Sequence, residues 1–368
     1  MTGAPAETDR STLKATMTAA AATATTTQER QLIEAARNGD EDAYRRLVEP
    51  RRAELHAHCY RMLGSVHDAE DSLQEALLRA WRALPRFQER SSLRAWLYKI
   101  STNTCLDEIA RRPRRVLPID YGPSADPHDA PGEPLAESVW VEPYPDPPEA
   151  SYEQRESVEL AFVAALQHLP ANQRAALILR EVLGFSAQEV ADALETSVAS
   201  VNSALQRARK TVEERLPEES QQATLRTLGD ERVTEIVERY MAALERGDVE
   251  ALMAMLAEDA AWSMPPCPVW YRGEEAVATF LAEYPFRERW RHVPTQANGQ
   301  VAVGGYMWDP ERESYVAAVL DVLTFRGDRI AEVTAFLAPW VFGRFGDIPG
   351  HMTPDAFRRF GLPDEVAA

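Results

Sequence analysis

The sequence predicts a multidomain protein, two small all-α domains followed by an α+β domain, and three stretches carry that prediction. In residues 186–210, SAQEVADALETSVASVNSALQRARK, apolar Val190, Ala191 and Leu194 mark the inner face of one short helix, and Val198, Val201, Leu205, Ala208 and Val212 recur at helical spacing along a second. This is a helix-turn-helix pattern. Residues 68–81, DAEDSLQEALLRAW, and 92–115, SLRAWLYKISTNTCLDEIARRPRR, give two longer helices upstream. From about residue 230 the pattern changes to helices and then strand-like runs, an α+β arrangement.

Taken in order, residues 1–28 are low-complexity, with runs such as TMTAAAATATTT, and are expected to be disordered. They hold no signal-peptide h-region, and the chain has no apolar run of membrane-spanning length, so a cytoplasmic, soluble protein without a membrane association is expected. The first folded unit is expected over 29–115. In its 68–81 helix Leu73, Ala76, Leu77, Ala80 and Trp81 form a core stripe, while Asp71, Gln74 and Glu75 lie on another face that needs water or a partner. From Arg86 to Arg115 eight basic residues face three acidic ones, a local charge of +5. Trp96 and Tyr98 interleave with these cations, a combination that holds single-stranded DNA through backbone charge and base stacking. Trp96 is equally suited to packing on Leu93, Leu97 and Ile100.

The whole chain carries a formal charge of −18, from 58 acidic and 40 basic residues, which alone argues against nucleic acid. The charge is segregated. Residues 116–151 contain eight acidic residues, nine prolines and no Lys or Arg, and read as an extended spacer without a core. At roughly 3.1 Å per residue it reaches about 110 Å. Two groove-binding domains two helical turns apart are separated by about 70 Å, so the linker has slack.

The second all-α unit is expected over 152–216. Opposite its apolar stripe the second helix of the helix-turn-helix carries Ser203, Arg207 and Lys210, with Ser200, Asn202 and Gln206 beside them and Thr196 or Ser197 as N-cap. Such residues suit a helix laid in a major groove; a helix pair with a solvated basic face is the plainer alternative. Cys59, Cys105 and Cys267 are too few and scattered for a disulfide framework. His56, His58, Cys59 and His67 do not make a metal site, because positions i and i+2 of a helix point apart; no metal or cofactor is expected.

The segments DAEDSLQEALLRAW and SLRAWLYKISTNTCLDEIARRPRR closely resemble regions 2.2 and 2.3–2.4 of bacterial sigma factors, specifically the extracytoplasmic-function group, with the helix-turn-helix in the place of region 4. The resemblance implies that Asp71, Gln74 and Glu75 dock on the clamp helices of the polymerase β′ subunit, with the β flap as a further contact. It implies that residues 92–115 melt the −10 element, Ser91, Ser92, Leu93 and Asn103 forming a pocket for an extruded base and Trp96, Lys99, Arg111 and Arg112 contributing to DNA binding. Ser200, Asn202, Ser203, Gln206, Arg207 and Lys210 would read the −35 element. By the same resemblance the acidic linker threads the RNA exit region; a solvated tether is the alternative. Core RNA polymerase and promoter DNA are thus the implied partners, with an anti-sigma factor as a further candidate. The family usually has basic residues where Asn202 and Ala204 stand and a Gly where Glu195 stands, which puts promoter choice in doubt.

After a tether, 217–229, residues 230–346 give an amphipathic helix, a break at Gly247, a second helix, a strand at 261–264, a third helix after Gly273, and strand-like runs at 299–308, 315–325 and 329–337. The last two are joined by Arg326-Gly327-Asp328, a good hairpin turn. A curved antiparallel sheet is expected, and 347–368 form a tail. The segment resembles the SnoaL-like, cone-shaped fold shared with ketosteroid isomerase, and its union with the sigma motifs resembles a sigma-factor subgroup with this domain at its C-terminus. Trp262, Met264, Trp270, Tyr271, Tyr306, Trp308 and Phe336 are candidates to line a cone mouth that holds a small-molecule ligand, with Asp321 as a buried acid. No oxyanion donor pairs with Asp321 in the sequence, so ligand sensing or intramolecular regulation is expected in place of catalysis. The rival to a sigma factor is a helix-turn-helix regulator fused to a ligand-binding or isomerase-like domain.

Overall fold

The computed structural model describes residues 27–128, 134–135, 139–146, 152–342 and 352–367; the segment expected to be disordered lies outside them apart from its last two residues. The first helical unit comprises α1 (residues 27–37), α2 (Glu41–Val48), α3 (Arg52–Leu63), α4 (Val66–Ala83) and α5 (Leu93–Ile109). Short polar caps set its helix ends. Asp40 accepts from the Ala43 amide at 2.9 Å to start α2, and Gly64, at φ 70°, ends α3 in the left-handed conformation that glycine adopts without a Cβ penalty. Leu55, Cys59, Met62, Leu73, Ala80, Leu97 and Cys105 fill the core between α3, α4 and α5.

After α6 (Pro118–Tyr121) and α7 (Tyr152–Glu156), the second helical unit is α8 (Leu160–Gln167), α9 (Ala171–Leu177) with a π-turn at Ile178–Val182, α10 (Ala187–Ala193) and α11 (Val198–Glu213). Ser186 and Glu189 form a reciprocal capping box at the start of α10. Ser197 caps α11 by accepting from the Ser200 amide at 3.2 Å.

The third unit opens with α12 (Gln221–Leu228), α13 (Asp230–Arg246) and α14 (Val249–Met253), followed by β1 (Leu256–Ser263), β2 (Trp270–Arg272), α15 (Glu274–Glu283), β3 (Trp290–Ala297), β4 (Gln300–Asp309), β5 (Ser314–Arg326) and β6 (Arg329–Leu337). A final helix, α16 (Pro354–Arg359), precedes a short β7 (Glu365–Val366). The strand order is β2-β1-β6-β5-β4-β3, with β7 pairing β5. One sheet face closes over Tyr240, Trp262, Met264 and Tyr271. The other, through Ala302, Leu320, Val322 and Phe336, is continuous with the core of both helical units.

Four expectations change. The sheet is mixed, because β1 runs parallel to β6, and β2, β3 and β7 are added to the strands read from the sequence. The linker is not a free spacer: Trp140, Val141 and Tyr144 are buried, and the Val116 and Val141 amides pair with Val139 and Val116 carbonyls. Its proline and acid content, averaged over the segment, hides the short apolar run VWVEPY, which finds a ready surface on α3 and so needs no core of its own. The tether folds as α12, its N-terminal amides of Gln221 and Gln222 bonded to Glu159 at 3.0 and 2.8 Å. The tail covers the outer sheet face with buried Phe357 and Leu362.

Candidate polymerase and nucleic-acid interfaces

Each predicted interface starts from a helix whose ends the local sequence fixes. Ser65 caps α4, accepting from the Asp68 amide at 3.0 Å. The linker carboxylate Glu142 joins it there, accepting from Ser65 Oγ at 2.7 Å and the Val66 amide at 2.9 Å, where the positive end of the helix dipole favours an anion. Buried Arg115 ties Asp68, at 2.6 Å, to Glu142, at 3.4 Å. So anchored, α4 presents Asp71 and Gln74 to solvent, while Glu75 is half-buried and bonded to Arg79, which also reaches Asp107 of α5. Leu78, 50% exposed, extends the Asp71/Gln74 face one turn further. The sequence reading omits it. Its signal is a leucine standing outside the core stripe of α4.

Along α5 the predicted DNA residues separate. Ser92 is the N-cap, accepting from the Ala95 amide at 3.1 Å, and Leu93 is buried in the core. Asn103 follows Leu93 by ten residues, about 15 Å of helix rise along α5, and is half-buried. Trp96 is half-buried against Phe87, ring centroids 4.8 Å apart. Arg111 is exposed, whereas Arg112 is bonded to Asp68 and Glu108. Lys99 contacts the second helical unit, at the Asp192 carbonyl and the Glu195 carboxylate.

On α11 the two faces divide cleanly. Val201, Leu205, Ala208 and Val212 are buried; Ser200, Asn202, Ser203, Gln206, Arg207 and Lys210 are exposed, although the Ser200 hydroxyl meets Ser197 Oγ at 3.0 Å and serves the cap.

Within the cone, Tyr240 Oη donates to Asp321 Oδ2 at 2.9 Å, and Trp262 stacks on Tyr240 at 6.5 Å. Burial pushes the Asp321 carboxyl up to about 7. Trp262, Met264 and Tyr271 share this interior, Tyr271 stacked on Phe280 at 4.6 Å. Trp308 does not join them: it packs on Tyr315 at 5.1 Å with Arg289 over its ring at 4.8 Å, on the other side of the sheet. Tyr240 is the residue the sequence reading misses here, for a tyrosine in an amphipathic helix gives no cue to its partner.

The three units meet at the tip of the β3–β4 hairpin. Asn298, fully buried at φ 56°, donates through Nδ2 to Tyr60 Oη of α3 and to the Val158 carbonyl ahead of α8, both at 2.8 Å, while its Oδ1 accepts from the Tyr144 amide of the linker at 2.8 Å. The Gly299 amide donates to the Asp146 carboxylate at 2.8 and 2.9 Å. A Cβ at Gly299 would stand 2.6 Å from the Arg155 carbonyl, so only glycine fits. Around this joint His56 bonds Tyr144, His58 bonds Thr102 and His67 bonds Glu142, three separate partners.

Comparison with known proteins agrees with this architecture. Sigma-70 region 2 matches residues 47–115, Sigma-70 region 4 matches 159–212 and a SnoaL-like domain matches 237–333. The chain is 43% identical over 321 residues to the ECF RNA polymerase sigma factor SigG of Mycobacterium tuberculosis, a match covering 84% of each protein. It is 30% identical over 189 residues to the RNA polymerase sigma-H factor of Pseudomonas aeruginosa, covering 51% of this chain and 94% of that protein. The crystal structure of M. tuberculosis SigJ superposes with a TM-score of 0.51 at 22% identity, covering 82% of this chain and all of that one, and shares the fold. The helix-turn-helix, the capped region 2 helices and the appended cone place this chain in the extracytoplasmic-function sigma factors, as an alternative sigma factor of RNA polymerase with a C-terminal SnoaL-like domain.

Proposed function

We propose that this sigma factor docks on core polymerase through Asp71, Gln74, Glu75 and Leu78 of α4, reads the −35 element with Asn202, Ser203, Gln206, Arg207 and Lys210 of α11, and opens the −10 element along α5. Exposure of Asp71, Gln74 and Leu78 on α4 and of the second set on α11, both capped helices, supports these roles, because positioning by a helix leaves only side-chain freedom to be lost on binding. It acts in the cytoplasm; among the described residues no helix is long and apolar enough to cross a membrane.

The SnoaL-like domain is proposed to regulate the sigma regions by contact, without catalysis of its own. The observation that carries this reading is Asn298, whose single side chain engages region 2, the linker and the entry to region 4 at once. In the cone, the hydroxyl of Tyr240 is donated to Asp321 Oδ2 and so is not itself directed at a substrate carbonyl. Run-off transcription with core polymerase tests the reading: truncation after Leu216 is expected to change output from a cognate promoter, and Asp321→Asn to leave it unaltered. Equal output from truncated and full-length protein, with turnover of a carbonyl substrate by the isolated domain, would replace regulation by enzymology.

A further inference from the structure

We propose that the cleft beside the end of α5 and the α8–α9 turn is a binding site for a small phosphorylated organic molecule of nucleotide size, its phosphate held by Arg114 and Arg174. The cleft has a volume of about 360 Å³, within the range of small-ligand pockets. Region 2 supplies one wall through the end of α5 and residues 112–115 after it, and region 4 supplies the other through the α8–α9 turn and Arg174. Leu63, Ile109, Pro113, Leu169 and Pro170 give it apolar surface. It lies apart from the cone in which the sequence reading placed a ligand.

The cations of this cleft are unequally matched. Arg112 is bonded to Asp68 and Glu108, and Arg115 to Asp68 and Glu142. Arg174 is 5% exposed and donates to neutral acceptors: the Met62 carbonyl, Gln167 Oε1 at 2.6 Å, and the Gln167 and Leu169 carbonyls at 3.0 and 3.3 Å. Its Nε finds no acceptor among the described residues. Arg114 is exposed at the rim and enters no ion pair among the described residues. Burial, and with it the nearby Arg114 charge, pushes the Arg174 guanidinium down to about 10. A buried cation without a counter-ion, beside a second cation of the same kind, costs free energy that a bound anion recovers.

The chemistry of the two groups selects the anion. A guanidinium presents a planar fork that fits two oxygens of one phosphate, and two unmatched cations call for two negative charges. The apolar walls suit the organic body that carries such a phosphate. A duplex backbone is the poorer occupant, because it is too broad to reach a guanidinium buried as deeply as Arg174.

Equilibrium dialysis of the full-length chain against ADP, inorganic pyrophosphate and adenosine, without divalent cations, tests the site. ADP is expected to bind about tenfold more tightly than pyrophosphate, from the apolar surface that its nucleoside covers, and adenosine not measurably. Arg114→Gln and Arg174→Lys should each weaken ADP binding about tenfold, the scale of a hydrogen bond to a charged group. Arg46→Gln, which removes an exposed charge of α2 that does not line the cleft, should leave it unchanged. Arg114 is exposed, so its variant keeps the test decisive should Arg174→Lys fold poorly. No binding of ADP at millimolar concentration, or a loss in Arg46→Gln equal to that in Arg114→Gln, would overturn the site. Pyrophosphate binding as tightly as ADP would overturn the organic ligand in favour of an inorganic anion. Displacement of ADP by a short DNA duplex, with the same dependence on Arg114 and Arg174, would overturn the small molecule in favour of a nucleic-acid backbone.

Discussion

The Asn298 amide donates to the Tyr60 hydroxyl at 2.8 Å across 238 residues of sequence, joining the tip of a hairpin in the SnoaL-like domain to the third helix of region 2. Tyr60 is fully buried and passes the connection on, its hydroxyl donating to the Glu142 carbonyl at 2.8 Å. The same linker residue caps α4 through its side chain. A chain of hydrogen bonds thus runs from the C-terminal domain to the N-terminus of α4, the helix proposed to dock on polymerase.

Asn298→Ala should cost about 1–3 kcal/mol, because it leaves the Tyr144 amide and the Val158 carbonyl buried without their partner. Gly299→Ala should separate the domains, since its Cβ meets the Arg155 backbone. Chemical denaturation measures the first, and limited proteolysis the second: the segment 139–146 should become a cleavage site in Gly299→Ala while region 2 itself stays resistant.

Arg207→Ala and Asn202→Ala should each weaken upstream duplex recognition by about 1–3 kcal/mol with core binding intact. Both side chains are exposed on α11, away from the buried Val201 and Leu205. Mobility shifts with holoenzyme, beside a polymerase pull-down, separate the two effects; an equal loss in the pull-down would mean the helix is structural.

Asn103→Ala should allow closed complexes and impair promoter opening. Permanganate footprinting reads this directly, and unchanged thymine reactivity in the variant would remove Asn103 from the melting surface.

Three buried carboxyls should each withdraw stability as pH rises from about 4 to about 7, opposite in sign to His56, His58, His168 and His292, which burial keeps neutral and which add stability as their unfolded-state protons are lost. Burial pushes Asp321 up to about 7, Glu159 up to about 7 and Asp146 up to about 6, against roughly 4 in an unfolded chain. Each raised carboxyl contributes stability that is fully present below its unfolded pKa and is lost as pH climbs through its folded one. Asp321→Asn should flatten part of this slope, and Glu159→Gln should flatten another part while reporting on the α12 contact. Thermal melts at a series of pH values provide the check; slopes identical to wild type would show that these acids ionise freely in the native state.

The elements that anchor function were legible where one local pattern sufficed. The apolar stripe of α11 and its polar face follow directly from helical spacing at Val201, Leu205, Ala208 and Val212. What was not legible depends on surfaces supplied from elsewhere. Trp140 and Tyr144 look like isolated aromatics in a proline-rich spacer until Trp140 meets Tyr121 of α6 and α3 provides the packing surface for Tyr144. The sequence reading takes Glu142 only as one acid of the spacer and does not single out Glu159, yet each meets helix N-terminal amides elsewhere in the chain. The Asn298-Gly299 pair is a hairpin signal that the sequence reading leaves out together with β3, and no local rule says that the tip is buried in three partners. Parallel pairing of β1 with β6 is equally a consequence of the intervening crossover and not of either strand's residues.

This sigma factor is proposed to direct core polymerase to start sites through α4 and α11 together. Transcription of fragmented genomic DNA by core polymerase, with 5′ ends mapped with and without the protein, reads this out. New start sites that share paired upstream elements are expected, abolished by Asp71→Ala with Gln74→Ala and weakened selectively by Arg207→Ala. No new start sites, together with sequence-specific duplex binding that persists without polymerase, would contradict it and assign the helix-turn-helix to a repressor or activator.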